Sequence, residues 1–312
     1  MKASVIIPSH NAQSTLPLAL RSIEEAAKGL DVEVIVIEDE SGRGPSWARN
    51  RGLDRATGEV VFFVDADDTV RKNFFRRPLA EMERSGADVC FFTYDGGPIL
   101  KERIYKGNNS VRNRFLPAFF GYSMDDVRRW NSGSSLASRK ELGQVWRCAY
   151  RRDFLIRHSI RFDEAMTFYE DAAFLSYCAA FARCAATIPD ALYEYKPGRT
   201  GNLASGSGSR RHWEYKFLVL SSRMRLDDKT NGEVWAFCEA SCVFSLLEML
   251  RLWRSAGLSF GEFKAGIARY LSEPRVRKAL YDFPLSARHP LTACAVLALR
   301  TFCHCVKTGI FI

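Results

Sequence analysis

The first 64 residues constrain the fold most tightly. Residues 4–7, 32–37 and 60–64 are short apolar runs rich in β-branched side chains, separated by two helix-forming stretches. The first repeats Leu16, Leu20, Ile23 and Ala27 at helical spacing and stops near Gly29. The second opens at Ser46, a capping residue, continues through Leu53 and Ala56, and stops at Gly58. Uninterrupted apolar runs belong to strands covered on both faces, and helices between them make such strands parallel. The pattern predicts an α/β fold, Rossmann-like, with a mostly parallel central sheet flanked by helices. Residues 74–82 read as a helix, 88–92 as a fourth strand, and 186–195 as late strand material.

Periodicity then weakens. Residues 95–143 are rich in Gly, Asn, Ser and Arg without a clean period, as specificity loops are. Helical spacing returns over 145–156 and 170–181, and 196–211 is a Gly/Ser/Arg linker. Beyond it Phe237, Val243, Phe244, Leu247, Leu250 and Trp253 fall at helical spacing. The expected organisation is a first domain over 1–205, divided near residue 95, and a basic, all-helical module over 206–312.

Composition of 47% hydrophobic and 26% charged residues excludes collagen-like, disulfide-scaffold and disordered classes. Nine cysteines, an odd number without framework spacing, suit reduced thiols, and Cys303-His304-Cys305 lacks a second cluster at zinc-finger spacing. Pro8 arrives before an export signal's apolar core could form, and the apolar run 291–299 falls far short of the ~20 residues that span a bilayer. A cytoplasmic location without a spanning helix is expected. Charge is uneven: residues 1–196 hold 28 Lys/Arg against 27 Asp/Glu, and 197–312 hold 17 against 9. A basic tail points to an anionic partner, a membrane surface or a nucleic acid.

Ligands of open parallel sheets bind beyond the strands' carboxyl ends. Three polar clusters stand there: Ser9-His10-Asn11, Glu38-Asp39-Glu40-Ser41 and Asp65-Ala66-Asp67-Asp68. No glycine fingerprint follows the first strand, which argues against a dinucleotide cofactor. Asp65 and Asp67 suit a hard divalent cation bridging carboxylates to a diphosphate, while Asp is also common in turns and helix caps. Local spacing leaves both readings open.

Four blocks together carry a resemblance: Val5-Ile6-Ile7-Pro8-Ser9-His10-Asn11, Val34-Ile35-Val36-Ile37-Glu38-Asp39, Ala48-Arg49-Asn50-Arg51-Gly52-Leu53, and Gly58 through Asp68. In order and spacing they resemble the family 2 glycosyltransferases of GT-A fold. Val145-Trp146-Arg147, Ile160 through Glu164, and Glu170-Asp171-Ala172-Ala173-Phe174 look like acceptor-side blocks of the branch that builds bacterial polysaccharides and lipopolysaccharides. The likeness covers roughly residues 2–200.

The resemblance implies an inverting transferase that uses Mn2+ or Mg2+ and moves a sugar from a nucleotide-diphosphate sugar, a UDP-sugar by preference, to a saccharide or lipid-linked saccharide. Pro8, Ser9, His10, Asn11, Glu38, Asp39, Arg49, Asp65, Ala66 and Asp67 would bind the donor. Asp67 and Asp65 (the DxD motif) would hold the metal, and Trp146 and Asp68 would meet the acceptor. Asp171 would be the general base, with Glu170 second. His10 stands where many relatives have Tyr, and Glu38-Asp39-Glu40-Ser41 where they have Asp-Asp-Gly-Ser, which loosens the nucleotide preference. The Gln-x-x-Arg-Trp signature of processive synthases is absent, so single addition is expected.

Two rival classes fit less well. A nucleotidyltransferase would need a Gly-rich, basic loop after the first strand. A nucleic-acid binder would draw on the basic tail and on Trp213, Trp235 and Trp253, but no recognition motif is present. Residues 195–199 read either as a cationic lid or as plain linker. In the tail, Arg288, Arg300 and Lys307 could face anionic head groups while Leu291, Val296, Leu299 and Phe302 enter a bilayer. The competing expectation is that these helices pack on the first domain or in a homodimer.

Overall fold

A computed structural model describes residues 1–136, 143–166, 168–196 and 209–308. The chain forms two compact units, residues 1–119 with 141–202, and residues 120–140 with 203–312.

The first unit is built on an eight-stranded sheet in the order β2-β1-β3-β7-β5-β8-β4, with β6 on β8. The strands are β1 (Ala3–Ser9), β2 (Val32–Glu38), β3 (Val60–Phe63), β4 (Thr69–Val70), β5 (Val89–Tyr94), β6 (Arg103–Lys106), β7 (Cys148–Arg151) and β8 (Cys184–Glu194). Between them run α1 (Leu16–Ala27), α2 (Pro45–Arg55), α3 (Arg76–Ser85), α4 (Asn108–Phe120), α6 (Arg152–Arg157) and α7 (Glu170–Phe181), while α5 (Met124–Asn131) belongs to the second unit. β1 lies parallel to β2 and β3, with Ala3 opposite both Val32 and Val60. The α/β layering matches the sequence expectation, but the sheet is mixed rather than mostly parallel, because β7, β4 and β6 all pair antiparallel with their neighbours. β7 inserts antiparallel to β3 and β5, from a stretch whose apolar spacing reads as helical. A four-residue strand whose first three residues are all buried has no face to alternate, so periodicity cannot separate it from a helix.

Successive strand residues point to opposite faces, and β3 uses this to join two aromatic clusters. Phe62 meets Phe74 and Phe75 at 5.3 and 5.1 Å on one side. Phe63 meets Tyr150, Phe162 and Phe174 edge-on at 5.6, 5.3 and 5.9 Å on the other. Gly52 lets α2 lie against β1, since a Cβ there would stand 2.2 Å from Ile6 Cγ2.

The second unit is helical: α5, α8 (Ser209–Lys229), α9 (Trp235–Ser255), α10 (Phe260–Leu271), α11 (Pro274–Asp282) and α12 (Pro290–Thr308). Residues 120–136, grouped by the sequence pattern with the first domain, fold here instead. Tyr122 packs on Phe244 at 4.8 Å, Trp130 stacks on His289 at 3.5 Å, and Asn131 Nδ2 donates to the Pro284 carbonyl at 3.0 Å. Asp227 ties the bundle together, accepting from the Trp235 backbone N–H and from Arg275.

The tail differs from its expectation in three side chains. Val296 and Leu299 are 0% and 3% exposed, packed inside the unit rather than turned to a bilayer. Arg300 donates to the carbonyls of Leu280, Tyr281 and Phe283, where a cation complements the end of α11. Leu291 and Leu297 are exposed at 86% and 49%, and the Lys307 side chain lies outside those described. No described helix is long and apolar enough to cross a membrane.

Candidate active site

The parallel pairing of β1, β2 and β3 brings the three polar clusters to one edge of the sheet. Ser9 Oγ donates to Glu38 Oε2 at 2.6 Å. His10 Nδ1 lies 2.6 Å from the Asp39 carbonyl and Nε2 lies 3.0 Å from Asn11 Nδ2. A carbonyl can only accept and an amide nitrogen only donate, so these contacts suit the neutral ring protonated on Nδ1. Asn11 adopts φ 52°, a left-handed value that Asn tolerates. Pro8, near the end of β1, is half-buried.

Asp39, read from sequence as a base contact, is buried, and its carboxylate accepts from the Arg43 and Gly44 backbone N–H groups at 2.9 and 2.6 Å. It holds the turn that launches α2. Gly44, at φ 98°, supplies a conformation other residues avoid.

One face of α2 is polar although covered. Ser46 Oγ donates to the Met166 carbonyl at 3.0 Å, and Asn50 Nδ2 donates to the Phe162 carbonyl and to Glu164 at 3.0 and 2.9 Å. Asn50 Oδ1 accepts from the Phe162 N–H at 3.0 Å. This face fixes the segment that leads into α7. Between the two anchors Arg49, 4% exposed, reaches three carboxylates. Nη2 donates to Asp65 Oδ1 at 3.0 Å, and Nη1 lies 2.9 Å from Asp171 Oδ1 and 3.5 Å from Glu170 Oε1.

Asp171 Oδ2 accepts from the Val145 N–H at 3.2 Å. Burial pushes its pKa up to about 7 against the pull of Arg49, and the charges of Glu170 and Asp65 add to the rise. Tyr169, just before this pair, sits at φ 63°, a strained placement that turns the chain into α7.

Asp65 and Asp67 are partly exposed, whereas Ala66 and Asp68 are buried. Asp68 accepts from Tyr193 Oη at 2.8 Å and from the Lys196 N–H at 2.9 Å, and burial raises its pKa to about 7. Tyr193 Oη in turn accepts from the Asp65 N–H at 3.1 Å. Trp146, 5% exposed, stacks with Tyr193 and Tyr195 at 4.2 and 5.7 Å. The two side chains expected to meet an acceptor are thus enclosed. Tyr195, 40% exposed, is the accessible ring of that aromatic group. Pro197, Gly198 and Arg199, from the stretch read as lid or linker, lie outside the described residues.

Sequence reasoning placed Arg49 against the donor's oxygens, read Ser46 as the cap of α2, where Gly44 stands instead and the Ser46 hydroxyl reaches Met166, and overlooked Asn50 and Tyr193. The available signal was Ser46, Arg49 and Asn50 at i, i+3 and i+4, a polar stripe opposite no other polar partner in the local sequence. Among the described residues no three His, Cys, Asp or Glu side chains converge into a metal cage.

A family model described as glycosyl transferase family 2 matches residues 40–140. The succinoglycan biosynthesis protein ExoO of Rhizobium meliloti is 26% identical over 232 residues, covering 66% of this chain and 62% of that protein. The poly(ribitol-phosphate) beta-N-acetylglucosaminyltransferase TarS of Staphylococcus aureus is 24% identical over 235 residues, covering 66% and 37%. The chain therefore spans less than two thirds of these relatives' length. The crystal structure of S. aureus TarS 1–349 in complex with UDP-GlcNAc superposes with a TM-score of 0.58 at 19% identity, covering 100% of this chain and 93% of that one. At that identity the likeness is one of fold.

Proposed function

We propose that the chain is a family 2 glycosyltransferase of GT-A fold that moves a single sugar from a UDP-sugar to a saccharide or lipid-linked saccharide in cell-surface polysaccharide synthesis, with inversion. The observation that carries this reading is the gathering of Asp65, Glu170 and Asp171 around the buried Arg49, beside the open carboxyl ends of β1 and β2. The names of the relatives, a succinoglycan biosynthesis protein and a poly(ribitol-phosphate) transferase, support a polymeric acceptor.

In this reading the nucleoside lies over Pro8, Ser9, His10 and Asn11, bordered by Glu38 and the turn that Asp39 holds. Asp171 removes the proton from the acceptor hydroxyl as it attacks the anomeric carbon. A base with a pKa near 7 is ionised at working pH and still strong enough to take that proton. Glu170 stands beside it. The donor set fits a divalent ion: Mg2+-type sites use one or two carboxylates plus substrate phosphates rather than an all-protein cage. Asp65 and Asp67 would hold Mn2+ or Mg2+ there, and the bound ion would neutralise charge on the departing diphosphate.

The helical unit is the part we assign to an anionic membrane surface on the cytoplasmic side. It holds 20 Lys/Arg against 11 Asp/Glu, while the other unit holds 25 of each. The test of the catalytic reading is UDP release from a panel of UDP-sugars with Mn2+, for the native chain and Asp171→Asn. Donor-dependent release lost in the variant supports it. No UDP binding and no release from any donor would overturn it.

A further inference from the structure

Three acids crowd one spot between the third strand and α7, and among the described residues Arg49 answers all of them. Arg49 Nη1 and Nη2 point to different carboxylates, Asp171 and Asp65, so the guanidinium plane spans the interval between them. Its Nε is buried without a hydrogen-bond partner, so the side chain's bonding is directed to the acids rather than to the surrounding backbone. The ring of Phe162 lies under the guanidinium at 5.3 Å and fixes its plane. The helix that carries Arg49 is itself locked to the segment before α7 through Ser46 and Asn50. From Asp171 outward, the groups facing it are Arg49 on α2, Asp65 beyond β3, its neighbour Glu170, and the Val145 N–H. Arg49 is the only cation among them.

We infer that Arg49 is a positioning residue that sets the distance between the general base Asp171 and the donor-side Asp65, without touching either substrate. A planar fork with two separated donors can act as a spacer of fixed length, which a lysine's point charge cannot. The sugar's reacting carbon has to sit between the donor's diphosphate and the base, and misplacement by about 1 Å costs on the order of 100-fold in rate. Arg49 thus makes donor site and base one rigid assembly. The inference rests on Asp171 being the base.

The test uses the full chain with Arg49→Lys, Asp171→Asn and the double variant, reading UDP affinity with Mn2+ by calorimetry and turnover by UDP release. Arg49→Lys keeps the charge and should hold UDP affinity within about threefold while kcat falls by about 100-fold. The double variant should lose no more than Asp171→Asn alone, because a positioning residue acts through the group it positions. UDP affinity falling in step with turnover would make Arg49 a donor contact and overturn the inference, as would additive losses or unchanged turnover in Arg49→Lys. Near-native turnover of Asp171→Asn would instead sink the reading of Asp171 as base, an outcome separable from the others. Arg49→Gln, shorter and without a second donor nitrogen to bridge the two acids, serves the same comparison if the lysine variant does not fold.

Discussion

At the scale of single residues, the site's chemistry turns on what burial and neighbouring charge do to the Asp171 carboxyl. Asp171 is raised to about 7 from the ordinary 3.8, by burial first and by Glu170 and Asp65 after it. Turnover should therefore climb with pH through about 7 and level off once the base is ionised, and Asp171→Asn should lose about two to four orders of magnitude at every pH. A raised carboxyl pKa contributes stability below its unfolded value that disappears as pH rises through the folded value. The melting temperature of Asp171→Asn should accordingly fall less than that of the native chain between pH 5 and 8, and scanning calorimetry at several pH values checks this. Asp67 makes a separate claim. UDP affinity should drop on adding chelator and return with Mn2+ or Mg2+, and Asp67→Asn should lose that metal response while melting normally. Equal UDP affinity with and without metal would remove the ion from the site.

At the scale of elements, α2 is where the fold and the site depend on each other. Gly52 allows it to touch β1, and Ser46, Arg49 and Asn50 join it to the catalytic loop. Gly52→Ala would drive a Cβ into Ile6 and should cost about 1–3 kcal/mol in urea unfolding, the usual range for an overpacked core. Turnover at permissive temperature should fall too, because Arg49 moves with the helix. β1 to β3 and their polar ends were legible from sequence because apolar runs, turn residues and motif spacing agreed. The covered polar face of α2 was visible but carries meaning only once its partners, more than a hundred residues away, are known. β7 and residues 120–136 were hidden for another reason: their environment is set by tertiary pairing, with β3 and β5 in one case and with Phe244 and His289 in the other. Val296 and Leu299 show the same limit, since an apolar helix face looks alike whether it meets lipid or a neighbouring helix.

At the scale of the whole molecule, the formal charge of +9 belongs entirely to the helical unit. A second copy of that unit would meet it with like charge, whereas an anionic bilayer would attract it, each cation near the surface contributing about 1 kcal/mol. α12 offers the apolar part of such a contact. Over its first three turns the outward residues Leu291, Cys294, Leu297, Ala298 and Thr301 are all exposed and none is charged, while Val296 and Leu299 hold the helix to the unit. Co-sedimentation should therefore require vesicles containing anionic lipid and weaken with salt, as screening shortens the reach of the charges. Leu291→Glu with Leu297→Glu should abolish binding and leave melting unchanged, because both side chains already face outward. Val296→Asp should instead unfold the unit, which distinguishes the exposed face from the buried one. If the native chain ignores anionic vesicles and the double glutamate variant changes its sedimentation mass, the uncharged face of α12 belongs to a subunit contact strong enough to overcome the repulsion, and the basic excess must serve another anion.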